Sequence, residues 1–196
     1  MRIDNETLEY AKKTFGPAAE DRLIDWKRML DVTAATAETH MESLEAVNQF
    51  FNSRMLYASD IQVWGTKEYW ATPFEFLCKG VGDCEDFAIA KFFTLKEIGV
   101  PEVTLNIMYG IRRCFGTAHM ALAYFPKLDT DPLILDNIVD EIRKESERKD
   151  LRFSLGFNTY GLWPAKQRSN NNAMLAADRL KKWRELQTRL AKAARP

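Results

Sequence analysis

Histidine is nearly absent from this sequence: His40 and His119 are the only two among 196 residues. Chemistry that needs an imidazole therefore has two candidate positions. Cysteine is almost as scarce, with Cys78, Cys84 and Cys114. Three are too few for a disulfide scaffold, and an odd number leaves at least one thiol free. Net charge is missing as well, since 28 Lys and Arg balance 28 Asp and Glu. With no global field, attraction to nucleic acid or anionic membrane would have to come from local clusters. No uninterrupted apolar run approaches the roughly 18 residues that a membrane span needs. The start, Met1 to Glu6, has no apolar stretch of the signal-peptide kind, which is the pattern of a cytoplasmic protein or of a mature or engineered form.

What is present is an ordinary globular balance, 46% hydrophobic and 29% charged, in a length that suits one core. A helical part spans about 1–56. In it Thr7 to Phe15, Glu20 to about Leu30 and Glu42 to Met55 carry apolar residues at three- and four-residue spacing. Thr72-Pro73-Phe74-Glu75 reads as a capped helix start, with Thr as N-cap, Pro first and Glu third. A further helix is expected from Asp83 to Ile98, closed by Gly99-Val100-Pro101. After Pro101 the texture turns to strands: Val103 to Tyr109, His119 to Phe125, Leu133 to Ile138 and Arg152 to Phe157. A last helix is expected over about 171–194, capped by Asn170-Asn171-Asn172. Its segment from Lys166 holds nine Lys or Arg against Asp178 and Glu185, read as the solvated face of a helix docked through Leu180 and Trp183. Helices followed by an antiparallel sheet predict a single α+β domain over 1–196, with the chemistry-bearing helix and sheet at about 72–163.

Cys84 heads its helix after a glycine-bearing loop. There a thiol meets unpaired N–H groups and the positive end of the helix dipole, and the same N–H groups can hold an oxyanion. Trp64, Tyr69 or Trp70 could add a side-chain donor, with Trp70 preferred. His119 opens one strand and Asp136 ends the next. In a hairpin about Leu128, Tyr124 opposite Pro132 and His119 opposite Asp136 give nearly constant sums, so base and orienter meet. Against this stands the plainer reading, in which Cys84 and His119 are satisfied core groups. Cys78 and Cys114 read as packing residues, with a pairing between them as the alternative in an oxidising compartment. Asp83, Glu85 and Asp86 crowd three carboxylates around Cys84 and would oppose a thiolate unless neutralised. Their hard oxygen ligands suit Ca²⁺.

The run Gly82-Asp83-Cys84-Glu85-Asp86-Phe87-Ala88-Ile89-Ala90-Lys91 resembles the signature of the bacterial transglutaminase-like cysteine proteases of the LapG type. Leu44 to Asn52, Asp60 to Gly65, Tyr69 to Glu75, Ala118-His119-Met120, Leu133 to Asn137 and Phe157 to Trp163 agree in order. The resemblance covers roughly residues 40 to 163. It implies a papain-like, transglutaminase-like fold with Cys84, His119 and Asp136 as triad and Ca²⁺ on Asp83, Glu85 and Asp86. It also implies a periplasmic endopeptidase that clips a large LapA-like surface adhesin near its N-terminus to release biofilm cells. An inhibitory inner-membrane receptor of the LapD type, answering to cyclic-di-GMP, would be its partner. Acyl transfer to an amine, as in transglutaminases, and a non-catalytic Ca²⁺-binding module are the alternatives.

Overall fold

The computed structural model describes residues 3–127, 130–165 and 175–193. Asp4 caps the first helix, α1 (Asn5–Phe15), by accepting from Thr7 N at 3.0 Å. Gly16, at φ 95°, turns the chain into α2 (Pro17–Thr36), where proline sits at the start and needs no N–H partner. This helix outruns the expected end near Leu30. Ala34 and Ala35 favour helix and lie on a face that buries nothing, so no apolar stripe marks the extension. Helix α3 (His40–Arg54) packs Leu44, Val47, Phe50 and Phe51 inward.

A two-residue strand β1 (Leu56–Tyr57) and a short helix α4 (Asp60–Trp64) follow. Helix α5 (Pro73–Lys79) starts with the expected capping box: Thr72 Oγ1 accepts from Glu75 N, and Glu75 accepts from Thr72 N at 2.7 Å. Strand β2 (Val81–Gly82) pairs in parallel with β1 and runs directly into α6 (Cys84–Ile98).

The main sheet contains β3 (Leu105–Arg112), β4 (Thr117–Tyr124), β5 (Leu133–Leu135), β6 (Arg143–Lys144), β7 (Leu151–Phe157) and β8 (Leu162–Pro164). Their order is β6-β5-β4-β3-β7-β8, and every neighbouring pair is antiparallel. Alternation along the strands makes two cores. Leu105, Ile107, Leu122, Tyr124, Leu135 and Phe157 join Ala88, Phe92 and Leu95 in the larger core with the helices. Met108, Ala121, Ala123, Ile134 and Phe153 form the second. The expected α+β architecture is therefore observed.

The β4–β5 register differs from the expected one. Tyr124 pairs with Leu133 and Leu122 with Leu135, so partner numbers sum to 257. Pro132 does not open the strand, because it has no N–H for the ladder; its carbonyl instead accepts from Glu145 N at 2.8 Å. Strand β5 stops at Leu135, short of the expected Ile138, and Asp136 lies just past its end.

The final helix, α7 (Lys181–Ala193), begins ten residues later than expected. Leu175 is bridged to Leu162 and Ala177–Arg179 forms a 3₁₀ turn, so this backbone is committed before the helix starts. The predicted Asn170–Asn172 cap lies outside the described residues. Trp183 is fully buried against Phe92, Phe93 and Phe157, with ring centroids 5.2–6.0 Å apart, which docks the helix as the sequence implied.

Candidate active site

Gly82 lets the chain enter α6 at close quarters, since a Cβ there would collide with the Asp86 carboxylate. Asp86 is fully buried, accepting from Ala71 N through Oδ1 at 2.8 Å and from Asp83 N through Oδ2 at 3.4 Å. It ties the loop before α5 to the start of α6. Burial first pushes its carboxyl up to about 8, against the pull of these backbone bonds.

Cys84 takes the first helical position, half-buried. Its Sγ donates to Glu85 Oε2 at 3.2 Å. Helix α6 is seated against β4, the strand that carries His119. Burial first, then the Glu85 charge, push the thiol far above its ordinary range, and the Met120 backbone only partly opposes them. The positive helix end is therefore outweighed here.

His119 is 3% exposed and Asp136 is 1% exposed. His119 Nε2 and Asp136 Oδ1 are 2.9 Å apart. Oδ1 also accepts from Ile138 N at 3.2 Å, and Oδ2 accepts from Arg148 Nη2 at 2.7 Å. Burial alone would raise the Asp136 carboxyl. The bond and charge of His119, then those of Arg148, overcome it and bring it down to about 2. An ionised carboxylate only accepts, so Nε2 donates to it and Nδ1 is the ring nitrogen left over. The register places residue 138, not 136, opposite His119, and Asp136 meets the imidazole diagonally through its side chain. Among the described residues no hydrogen bond joins Cys84 Sγ to the ring; Glu85 holds the thiol hydrogen instead.

One oxygen each from Asp60, Asp83 and Glu85 lies within 4.8 Å of the others. Asp60 Oδ1 and Asp83 Oδ1 are buried without a hydrogen-bond partner, an arrangement that carboxylates adopt when a cation is to complete them. Burial raises Asp60 to about 6 despite the 2.5 Å bond from Tyr69 N, and burial with the Glu85 charge raises Asp83 strongly. Hard, clustered oxygens fit a divalent cation such as Ca²⁺. The geometry groups Asp60 with Asp83 and Glu85, whereas Asp86 stands outside the trio with both oxygens given to backbone N–H groups.

The remaining candidates separate clearly. Trp70 stacks on Phe157 at 5.7 Å, and its carbonyl accepts from Arg189. Tyr69 Oη donates to Glu75 Oε1 at 2.7 Å and is not a spare donor. His40 Nδ1 lies 2.8 Å from Tyr124 Oη, away from Cys84. All three cysteines are free. Cys78 is buried packing, its thiol pushed up to about 12 by burial. Cys114 is not a packing residue: it is exposed on the β3–β4 connection, and the alternative Cys78–Cys114 pairing is absent.

Residues 22–153 match the family model of the bacterial transglutaminase-like cysteine proteinases. The chain belongs to this family. Among solved structures it is similar to calcium-bound LapG of Legionella pneumophila, at 36% identity and TM-score 0.81, over 96% of this chain and 99% of that one. EGTA-treated LapG of the same organism matches at 36% identity and TM-score 0.80, over 94% and 95%. No curated protein sequence matches. The fold is that of the transglutaminase-like cysteine proteases, as the sequence implied.

Proposed function

We propose that the protein is a calcium-dependent cysteine endopeptidase in which Cys84 is the nucleophile, His119 the general base and Asp136 its orienter. The observation that carries this reading is the buried 2.9 Å contact of His119 Nε2 with Asp136 Oδ1, on the strand against which the Cys84 helix packs. Nδ1, the ring atom not given to Asp136, is the one available to take the thiol proton. Sulfur then attacks the scissile carbonyl, forming S–C; the developing oxyanion is met by first-turn N–H groups of α6 at Cys84. The C–N bond breaks as His119 returns the proton to the leaving amine. Water, deprotonated by His119, next attacks the thioester, releasing the acid product and restoring the thiol.

Asp60, Asp83 and Glu85 would hold Ca²⁺, consistent with the calcium-bound LapG relative. When bound, the ion supplies positive charge beside Cys84 and draws the Glu85 carboxylate from the thiol. Asp86 keeps the loop in place through its backbone bonds whether or not the site is filled.

A large LapA-like surface adhesin is the proposed substrate and a LapD-like receptor under cyclic-di-GMP control the proposed regulator, acting in the periplasm in biofilm release. Family membership supports this reading. Incubation with an N-terminal adhesin fragment tests it. We expect one cleavage in Ca²⁺, none in EGTA and none with Cys84→Ser; an amine-linked product in place of two fragments would mark an acyltransferase.

A further inference from the structure

Asp136 has two carboxylate oxygens, and the orienting role proposed above uses only Oδ1. Oδ2 receives Arg148 Nη2 at 2.7 Å. Arg148 is 4% exposed, so water is not a ready substitute at this oxygen. The guanidinium is itself pinned, with Nε 2.9 Å from Asp150 Oδ1 and Nη2 2.7 Å from Asp150 Oδ2. Its backbone N donates to Glu145 O at 3.0 Å, closing the 3₁₀ turn Glu145–Glu147. A continuous polar line therefore runs from half-exposed Asp150 through Arg148 and Asp136 to the buried imidazole.

We propose that Arg148 is the positioning residue of the site, clamping Asp136 Oδ2 so that Oδ1 holds His119 with its hydrogen on Nε2. This rests on the triad reading. Two physical effects act together. Torsion about a carboxylate's last bond is broad, so a contact at one oxygen leaves the other free to rock; a second, cationic contact removes that freedom. Burial also favours the neutral acid, and a protonated Asp136 would donate where it must accept. The fixed charge of Arg148 counters this.

The main chain of Asp136 is held independently. Its carbonyl accepts from Asn52 Nδ2 at 2.8 Å and from Lys91 Nζ at 3.1 Å. Loss of Arg148 would thus loosen the carboxylate while the backbone stays anchored, a separation that makes the idea testable. Nothing in the sequence marks this residue, which lies in the charged stretch Arg143–Asp150.

With only two histidines, nitrogen-15 spectra of the imidazoles resolve His119 directly, and His40 serves as the internal control. The wild type is expected to show a slowly exchanging Nε2–H on His119. Arg148→Met is expected to lose that signal while His40 is unchanged, and to lower kcat by roughly 10–100-fold at constant KM, the range typical of residues that act through another group. In an Asp136→Asn background the same substitution should change kcat little further, whereas a merely structural residue would cost as much there as in the wild type. Arg148→Gln is read in the same way should Arg148→Met not fold. A folded variant with the wild-type His119 signal and kcat, or an equal loss in both backgrounds, overturns the proposal. If His119→Ala leaves cleavage unchanged, the triad reading falls and the proposal with it. Cleavage that needs His119 while its imidazole ignores Arg148 overturns the proposal alone.

Discussion

Glu85 Oε2 accepts the thiol hydrogen of Cys84 at 3.2 Å, so the residue beside the proposed nucleophile favours its protonated, unreactive form. The same carboxylate belongs to the cluster with Asp60 and Asp83. A cation at that cluster and a reactive thiol are therefore linked through one side chain.

Glu85→Ala removes a proposed ligand and the thiol's acceptor together, whereas Asp60→Ala removes a proposed ligand and the acceptor of Tyr69 N but leaves the thiol's acceptor in place. Both are expected to weaken Ca²⁺ binding in titration calorimetry and to abolish the rise of melting temperature with free Ca²⁺. Asp86→Ala is expected to behave differently. It should lower the melting temperature with or without Ca²⁺, because it cuts the backbone ties to Ala71 and Asp83.

Asp136→Asn should lower kcat by roughly 10³–10⁴-fold through loss of the preferred tautomer, by analogy with the serine-protease case. It has a thermodynamic counterpart. The carboxyl falls from 3.8 to about 2 in the fold, so it stabilises the folded state above about pH 4 and this contribution fades as pH drops toward 2. The shift corresponds to about 2 kcal/mol. Denaturant titrations of Asp136→Asn should show a shallower loss of stability across that window than the wild type.

The placing of Cys84 at a helix start and the meeting of His119 with Asp136 were legible because they sit in local patterns: a cysteine heading an amphipathic helix, and a histidine on one strand with an aspartate at the end of the next. The exact pairing was not, since it turns on where the strand opens after Pro132. Asp60 could not be found from its own position, because its place in the carboxylate cluster depends on the approach of α4 to the start of α6. Asp86 was expected at the metal from its adjacency to Cys84 and from the family resemblance. Its spacing of three from the N-cap Asp83 carries a capping-box signal, and that is the role it plays. The late start of α7 has a similar cause, a bridge from Leu175 to Leu162 that helical periodicity cannot reveal.

Lys91 is fully buried, with Nζ 2.7 Å from Asn48 Oδ1, 2.7 Å from Asn52 Oδ1 and 3.1 Å from Asp136 O. Burial pushes its ammonium down to about 7, yet three acceptors surround it, and only the charged form has three hydrogens to give. Lys91→Met would leave those acceptors buried and unpaired. We expect a loss of about 3–5 kcal/mol in denaturant titration, as for a buried charge network cut on one side.

Trp183→Ala empties the socket between Phe92, Phe93 and Phe157. A loss of about 3–5 kcal/mol is expected. Proteolysis should then detach α7, releasing Arg189 from its bonds to Glu75 and the Trp70 carbonyl.

The central claim, that His119 activates Cys84, is tested most directly by alkylation followed residue by residue with mass spectrometry. Cys114, which is exposed, is the internal standard, and buried Cys78 is the unreactive one. In Ca²⁺ at about pH 6, half-buried Cys84 should react at least roughly tenfold faster than Cys114, because a paired thiolate forms well below the ordinary thiol range. His119→Ala should erase that advantage. A Cys84 slower than Cys114 in Ca²⁺, with a rate indifferent to His119, would contradict the account.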